Sequence, residues 1–128
     1  MFDELGRITA ISRRGRNKAE IITLSADFQI TSRQELDRYI GGPFIGRFGD
    51  HTLVAGRNIS GGESKLVICT LVEGKLRTLC NLPSGGDCSY PSMIQLCPGC
   101  VLVSYYSSHE KDDDGKPMTN IYLAELEF

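Results

Sequence analysis

A chain of 128 residues, 41% apolar and 23% charged, has the length and composition of one ordinary globular domain with a modest core. Fourteen bases against sixteen acids leave a net charge of −2, which argues against nucleic acid as a partner, because phosphate contacts need clustered Lys and Arg. No apolar run approaches the roughly 20 residues that span a bilayer, and Asp3 and Glu4 stand where a signal peptide would carry bases, so a soluble, cytoplasmic chain with no membrane contact is expected.

From the N-terminus onward the chain reads as short strands. Gly6 to Ser12, Lys18 to Ser25, Pro43 to Phe48, His51 to Arg57, Lys65 to Leu71, Lys75 to Asn81, Pro91 to Leu96, Cys100 to Tyr106 and Asn120 to Leu126 are rich in Ile, Val, Leu, Thr and Tyr, with Gly, Pro, Asn or Asp between them. Ser32 to Ile40 fits a helix, with Ser32 as N-cap, Glu35 as its capping-box partner and Gly41-Gly42 as a stop. It fits an irregular outer strand equally well. The first segment is basic through Arg7, Arg13, Arg14, Arg16 and Lys18, and the last is acidic through Asp112, Asp113, Asp114, Glu125 and Glu127. Such asymmetry can guide end-to-end contact between copies.

Self-comparison adds a repeat. Pro43 to Arg57 lies without a gap over Pro91 to Tyr105, 48 residues later, and both read as proline, strand, tight turn, strand. Thr9 to Arg13 lies over Leu53 to Arg57, and Lys18 to Leu24 over Lys65 to Leu71. A unit of about 45 residues with four short strands has the size of a β-propeller blade. The expected fold is all-β, a partial propeller of about two and two-thirds blades. A remnant over residues 1–40 lacks its innermost strand, a full blade covers 41–82, and a blade over 83–128 lacks its outermost strand. Closed propellers hold about 4–8 blades, so the chain is expected to be a fragment or to assemble, its open strand edges pairing with further copies or covered by a partner chain.

The stretches Leu82 to Pro91 (LPSGGDCSYP), Val101 to Glu110 (VLVSYYSSHE), Ile121 to Leu126 and Ile40 to Arg57, with its IGGP turn and VAGR strand, resemble the last blades of bacterial sialidase-like, BNR-repeat proteins. Ser25-Ala26-Asp27 resembles a degenerate Asp box, with Gln29 and Ser32 where that motif has Gly and Trp. The resemblance implies a six-bladed propeller related to exo-α-sialidases, glycoside hydrolases that need no cofactor. Their substrate carries a carboxylate, which arginines clamp through bidentate bonds. A tyrosine activated by a glutamate replaces the usual carboxylate nucleophile, which the substrate's own charge would repel. An aspartic acid protonates the leaving oxygen.

Carried over residue by residue, Tyr90 matches the tyrosine nucleophile. Arg57 resembles the third clamp arginine, and Arg13 the second, with Arg14 as the alternative if the register slips by one. The activating glutamate belongs on a strand before Gly6, and Glu4 falls in the turn region of the matched pattern. The first arginine and the acid aspartate belong to blades outside the match. Each assignment has an ordinary reading beside it: Tyr-Pro as turn geometry, and strand-end arginines as solvated or ion-paired surface.

Other constellations point to structure. Cys97-Pro98-Gly99-Cys100 matches C-x-x-C, yet it falls on a tight turn, where Pro and Gly suit the central positions of type II. Cys80 and Cys88 are too widely spaced to complete a compact zinc module with it, so no metal is expected. Five cysteines, an odd number, also leave no closed disulfide framework, as befits a reducing compartment. Asp112 to Gly115 reads as a solvated hairpin loop, His51 as a turn residue and His109 as part of the loop beyond SYYSS. Two function classes follow. One is a sialidase-like segment, catalytically incomplete alone, that retains part of a carboxylated-glycan binding face. The other is a non-enzymatic module whose open blade edges drive assembly into a homo-oligomeric ring.

Overall fold

Residues with β-branched and aromatic side chains suit a pleated, packed surface, and every segment marked by them becomes a strand. A computed structural model describes residues 1–128. Ten strands follow one another: β1 (Ile8–Ser12), β2 (Glu20–Leu24), β3 (Ile30–Glu35), β4 (Gly41–Phe48), β5 (His51–Ser60), β6 (Glu63–Val72), β7 (Lys75–Leu82), β8 (Cys88–Cys97), β9 (Cys100–Lys111) and β10 (Pro117–Glu127). They make three antiparallel sheets in chain order, β1-β2-β3, β4-β5-β6-β7 and β8-β9-β10. No helix is long and apolar enough to cross a membrane.

The helical reading of Ser32 to Ile40 is corrected: Ile30–Glu35 is the outer strand of the first sheet, laddered onto β2 from Glu20↔Glu35 to Leu24↔Ile30. Glu35 does not cap a helix but takes Arg14 at 3.1 Å and Lys18 at 3.9 Å. An isolated helix this short is marginal in water, whereas the strand satisfies its backbone on β2. Leu36 and Ile40, just beyond it, are buried.

The second sheet is apolar on both faces, which is why β5 and β6 read as continuous apolar runs rather than as alternation. Val54, Val67, Cys69 and Leu76 pack with Ala19, Ile21, Leu36 and Ile40 of the first sheet region. On the other face Leu53, Ala55, Leu66 and Ile68 pack with Met93, Val101, Val103 and Tyr105 of the third sheet. Each fully buried Leu, Ile or Val contributes roughly 1.5–3 kcal/mol, so these two interfaces hold the sheets side by side.

The pairing registers carry the repeat. Thr9↔Thr23, Ala10↔Ile22 and Ile11↔Ile21 correspond to Leu53↔Thr70, Val54↔Cys69 and Ala55↔Ile68, as the sequence match requires. The gapless match between the second and third units is corrected. Ile45 pairs with Val54 and Met93 with Val103, so the spacing is 48 on β8 but 49 on β9. Leu96 is the extra residue, taken up as an irregularity between Gln95 and Cys97. The residue standing where Arg57 stands is therefore Tyr106 rather than Tyr105: Arg57 pairs with Gly41 and Tyr106 with Ser89.

The strand expected to be wholly absent before Gly6 is present as a stub. Phe2 bridges Ile8, and the Met1 carbonyl accepts the Thr9 N–H at 2.9 Å. Asp3 closes the turn between them by accepting the N–H groups of Leu5 and Arg7 at 3.0 and 2.9 Å, and Arg7 Nε donates to its other oxygen at 2.7 Å. These bonds, the Arg7 side chain first, hold the Asp3 carboxyl below its usual range.

Candidate anion-binding rim

The repeat register sets three residues at equivalent places, Arg13 just past β1, Arg57 within β5 and Tyr106 within β9. Arg57 is the centre of this series. Its side chain is 22% exposed, Nη1 donates to Asp87 Oδ1 at 2.9 Å, and Nε is buried without a hydrogen-bond partner. Burial opposes its charge, but the neighbouring Tyr39 hydroxyl and the Asp87 carboxylate more than offset that, so its pKa lies above the ordinary value. The Tyr106 hydroxyl donates to the same Asp87 oxygen at 3.0 Å. Burial, and then Asp87, push the Tyr106 hydroxyl up, which keeps it a proton donor.

Arg57, Arg13, Arg16, Tyr39, Gly15, Ile59 and Ser64 line a depression of about 430 Å³. Arg14 is drawn away to Glu35, so Arg13 is the member of the pair that shares the depression with Arg57. Arg13 and Arg16 make no ion pair. Three arginines thus line one concavity, and the only carboxylate bonded to any of them is Asp87. A larger depression of about 530 Å³ lies at the stub, where Arg7 is paired with Asp3 and Arg47 shares the lining with Glu4.

Tyr90 lies at the seam between β4 and β8. The neighbouring Ser89 is fully buried, and its hydroxyl donates to the Gly41 carbonyl at 2.9 Å across that seam. Tyr90 itself is 68% exposed. Its ring stacks on Tyr106, with centroids 6.1 Å apart, and its backbone is left-handed at φ +48°. Its hydroxyl makes no hydrogen bond. The residues Arg57, Asp87, Tyr106 and Tyr90 therefore form one chain of contacts, with Arg13 beside its first member. Glu4 stays in the turn after the stub, as its place in the pattern implied.

Tyr39, Asp87, Arg16 and Tyr106 were missed by sequence reasoning. Tyr106 had a signal, since it takes the repeated position once the extra residue Leu96 is recognised. Tyr39 and Asp87 lie in connections between sheets, where no periodicity marks them.

The remaining motifs are turns. Pro98-Gly99 is a two-residue turn between paired Cys97 and Cys100, with Gly99 at φ +76°. The Cys100 thiol donates to Glu125 Oε1 at 3.1 Å, and that bond first, then burial, pushes it up to about 12. No three His, Cys, Asp or Glu side chains converge as a metal site would need. Asp112 Oδ1 accepts the N–H groups of Asp114 and Lys116 and closes the β9–β10 hairpin. Ser25 closes the β2–β3 turn through Asp27 and Gln29. The loop placement of His109 is corrected: it lies within β9, with Nδ1 2.9 Å from Ser107 Oγ and its ring over Tyr122.

No family model matches the chain, and no curated protein or solved structure matches it.

Proposed function

We propose that the three sheets are consecutive blades of a six-bladed, sialidase-like propeller and that their common rim binds the carboxylate of an acidic sugar without hydrolysing it. The observation that carries this reading is the Arg57 guanidinium, charged, mostly buried and with Nε unpaired, in one depression with Arg13 and Arg16. A planar guanidinium suits a carboxylate because its N–H groups can meet both oxygens. Partial burial makes those bonds stronger than they would be in water. The stacked Tyr90 and Tyr106 rings offer an apolar surface to the sugar beside the charged group. Turnover would need a base to take the Tyr90 proton and an acid at the leaving oxygen, and no side chain bonds the Tyr90 hydroxyl. Tyr90 is thus read as a contact surface and Arg57 with Arg13 as the anion contacts.

Calorimetric titration with N-acetylneuraminic acid tests this, with N-acetylmannosamine as the uncharged control. The acidic sugar is expected to bind and the neutral one not to. Arg57→Ala should weaken binding at least tenfold, about 1.4 kcal/mol, and Asp87→Asn should strengthen it several-fold by removing the competing carboxylate. Equal binding of both sugars, or indifference to Arg57→Ala, contradicts the reading.

A further inference from the structure

The second sheet is covered on both faces, but the third is covered only on the face turned toward it. Side chains alternate along a strand, so the inward set Tyr122, Ala124 and Leu126 of β10 leaves Ile121, Leu123 and Glu125 on the opposite face. There Ile121 is 80% exposed, Leu123 68% and Ile94 of β8 58%. By pairing register, Ile121, Leu123 and Leu102 stand where Leu66, Ile68 and Leu53 stand in the second sheet. Those three are fully buried because the third sheet lies on them. The sequence has thus placed the same apolar positions on a face that nothing in this chain covers, and large exposed apolar patches mark interaction sites.

Charge selects the occupant. Residues 83–128 carry seven acids and two bases, while residues 1–40 carry seven bases and six acids. Third sheet against third sheet would set a net −5 against itself, whereas third against first meets a net +1 and escapes that repulsion. The first sheet is covered by the second only on the face of Ile11, Ala19 and Ile21, which leaves Ala10 and Ile22 on its other face beside the Glu20–Arg33 pair.

We propose that two copies of this chain close a ring of six sheets, each seating the free face of its third sheet on the free face of its partner's first sheet. The inference rests on the propeller reading above. It continues the stacking order already present within the chain, in which each sheet lies on the face of the one before. A head-to-tail contact either closes or runs on as a filament. Two copies supply six sheets, inside the range of about 4–8 found in closed rings, and three copies would supply nine, outside it. Closure carries the rim across both junctions and brings the partner's Arg13 next to Tyr106, as Arg13 lies next to Arg57 within one chain.

Light scattering on the eluting peak from size exclusion tests the ring. The expected mass is twice the 14.1 kDa of one chain. Leu123→Lys and, separately, Ile22→Lys are expected to give monomers with unchanged β-sheet circular dichroism, and the milder Ile121→Thr should weaken the dimer if a lysine variant fails to fold. A monomeric wild type, a trimer or an open polymer overturns the proposal. A dimer that Leu123→Lys breaks and Ile22→Lys leaves intact also overturns it, in favour of third-to-third pairing. Titrating the Leu123→Lys variant with N-acetylneuraminic acid keeps the two readings apart. Failure of the ring leaves binding at Arg57 and Arg13 of one chain intact, whereas failure of the sugar reading abolishes binding in dimer and monomer alike.

Discussion

A methyl group added at Gly42 would overlap the Ser89 hydroxyl and stand 3.1 Å from the Tyr90 ring, in a backbone already left-handed at φ +51°. Both strain and overlap follow, so Gly42→Ala is expected to cost about 2–4 kcal/mol in urea denaturation. Tyr90 sits 48 residues later in the same backbone state and pays the left-handed penalty that Gly42 avoids. Tyr90→Gly removes that strain of about 1–2 kcal/mol, but it also removes the stack on Tyr106 and adds glycine's entropy, each on the order of 1 kcal/mol. The expected result is a stability change within about 1 kcal/mol together with weaker sugar binding if, as proposed, the ring serves as a contact surface. A loss of several kcal/mol would mark Tyr90 as structural. This equivalence was legible, since the repeat sets a tyrosine over a glycine. Asp87 was not: its partners Arg57 and Tyr106 are 30 and 19 residues away, and only the folded connection brings them together.

At the scale of the strand, most of the fold could be read from alternation, turn residues and repeat spacing. The exceptions share a cause. β3 is exposed along its whole length, so its sequence carries no apolar period to separate strand from helix, and only the free edge of β2 decides. Leu96 breaks the repeat by one residue, which strand propensity cannot see because a bulge keeps the backbone extended on either side. The strands also set a pH limit. Burial pushes up the Cys69 and Cys88 thiols and the Tyr105 hydroxyl, whose proton is donated to the Pro83 carbonyl at 2.8 Å. A raised value means that the folded chain holds its proton after the unfolded chain has lost it. Stability is therefore full below the unfolded pKa values and falls as pH rises toward the folded ones. The urea midpoint is expected to hold between about pH 7 and 8 and to fall by about pH 10, the ordinary thiol and phenol range. A midpoint that rises across this interval would contradict the burial of these groups.

Across the whole molecule, three sheets stacked in chain order bring the repeat-equivalent residues Arg13, Arg57 and Tyr106 to one side of the molecule, and the proposed chemistry rests on this juxtaposition. Arg13 and Arg57 are 44 residues apart in sequence yet line one depression, because sheets in series repeat their geometry as well as their sequence. The sheet order and the apolar faces were visible in the repeat. A chemical use for the rim came only from the resemblance, and the proposal takes those residues as binding groups rather than catalytic ones. Amide chemical-shift mapping by nuclear magnetic resonance during titration with N-acetylneuraminic acid tests this most directly. Shifts centred on Arg13, Tyr39, Arg57, Asp87 and Tyr106 are expected, absent when N-acetylmannosamine is added instead. Shifts confined to the stub around Asp3 and Arg7, scattered over the surface, or equal for both sugars would contradict it.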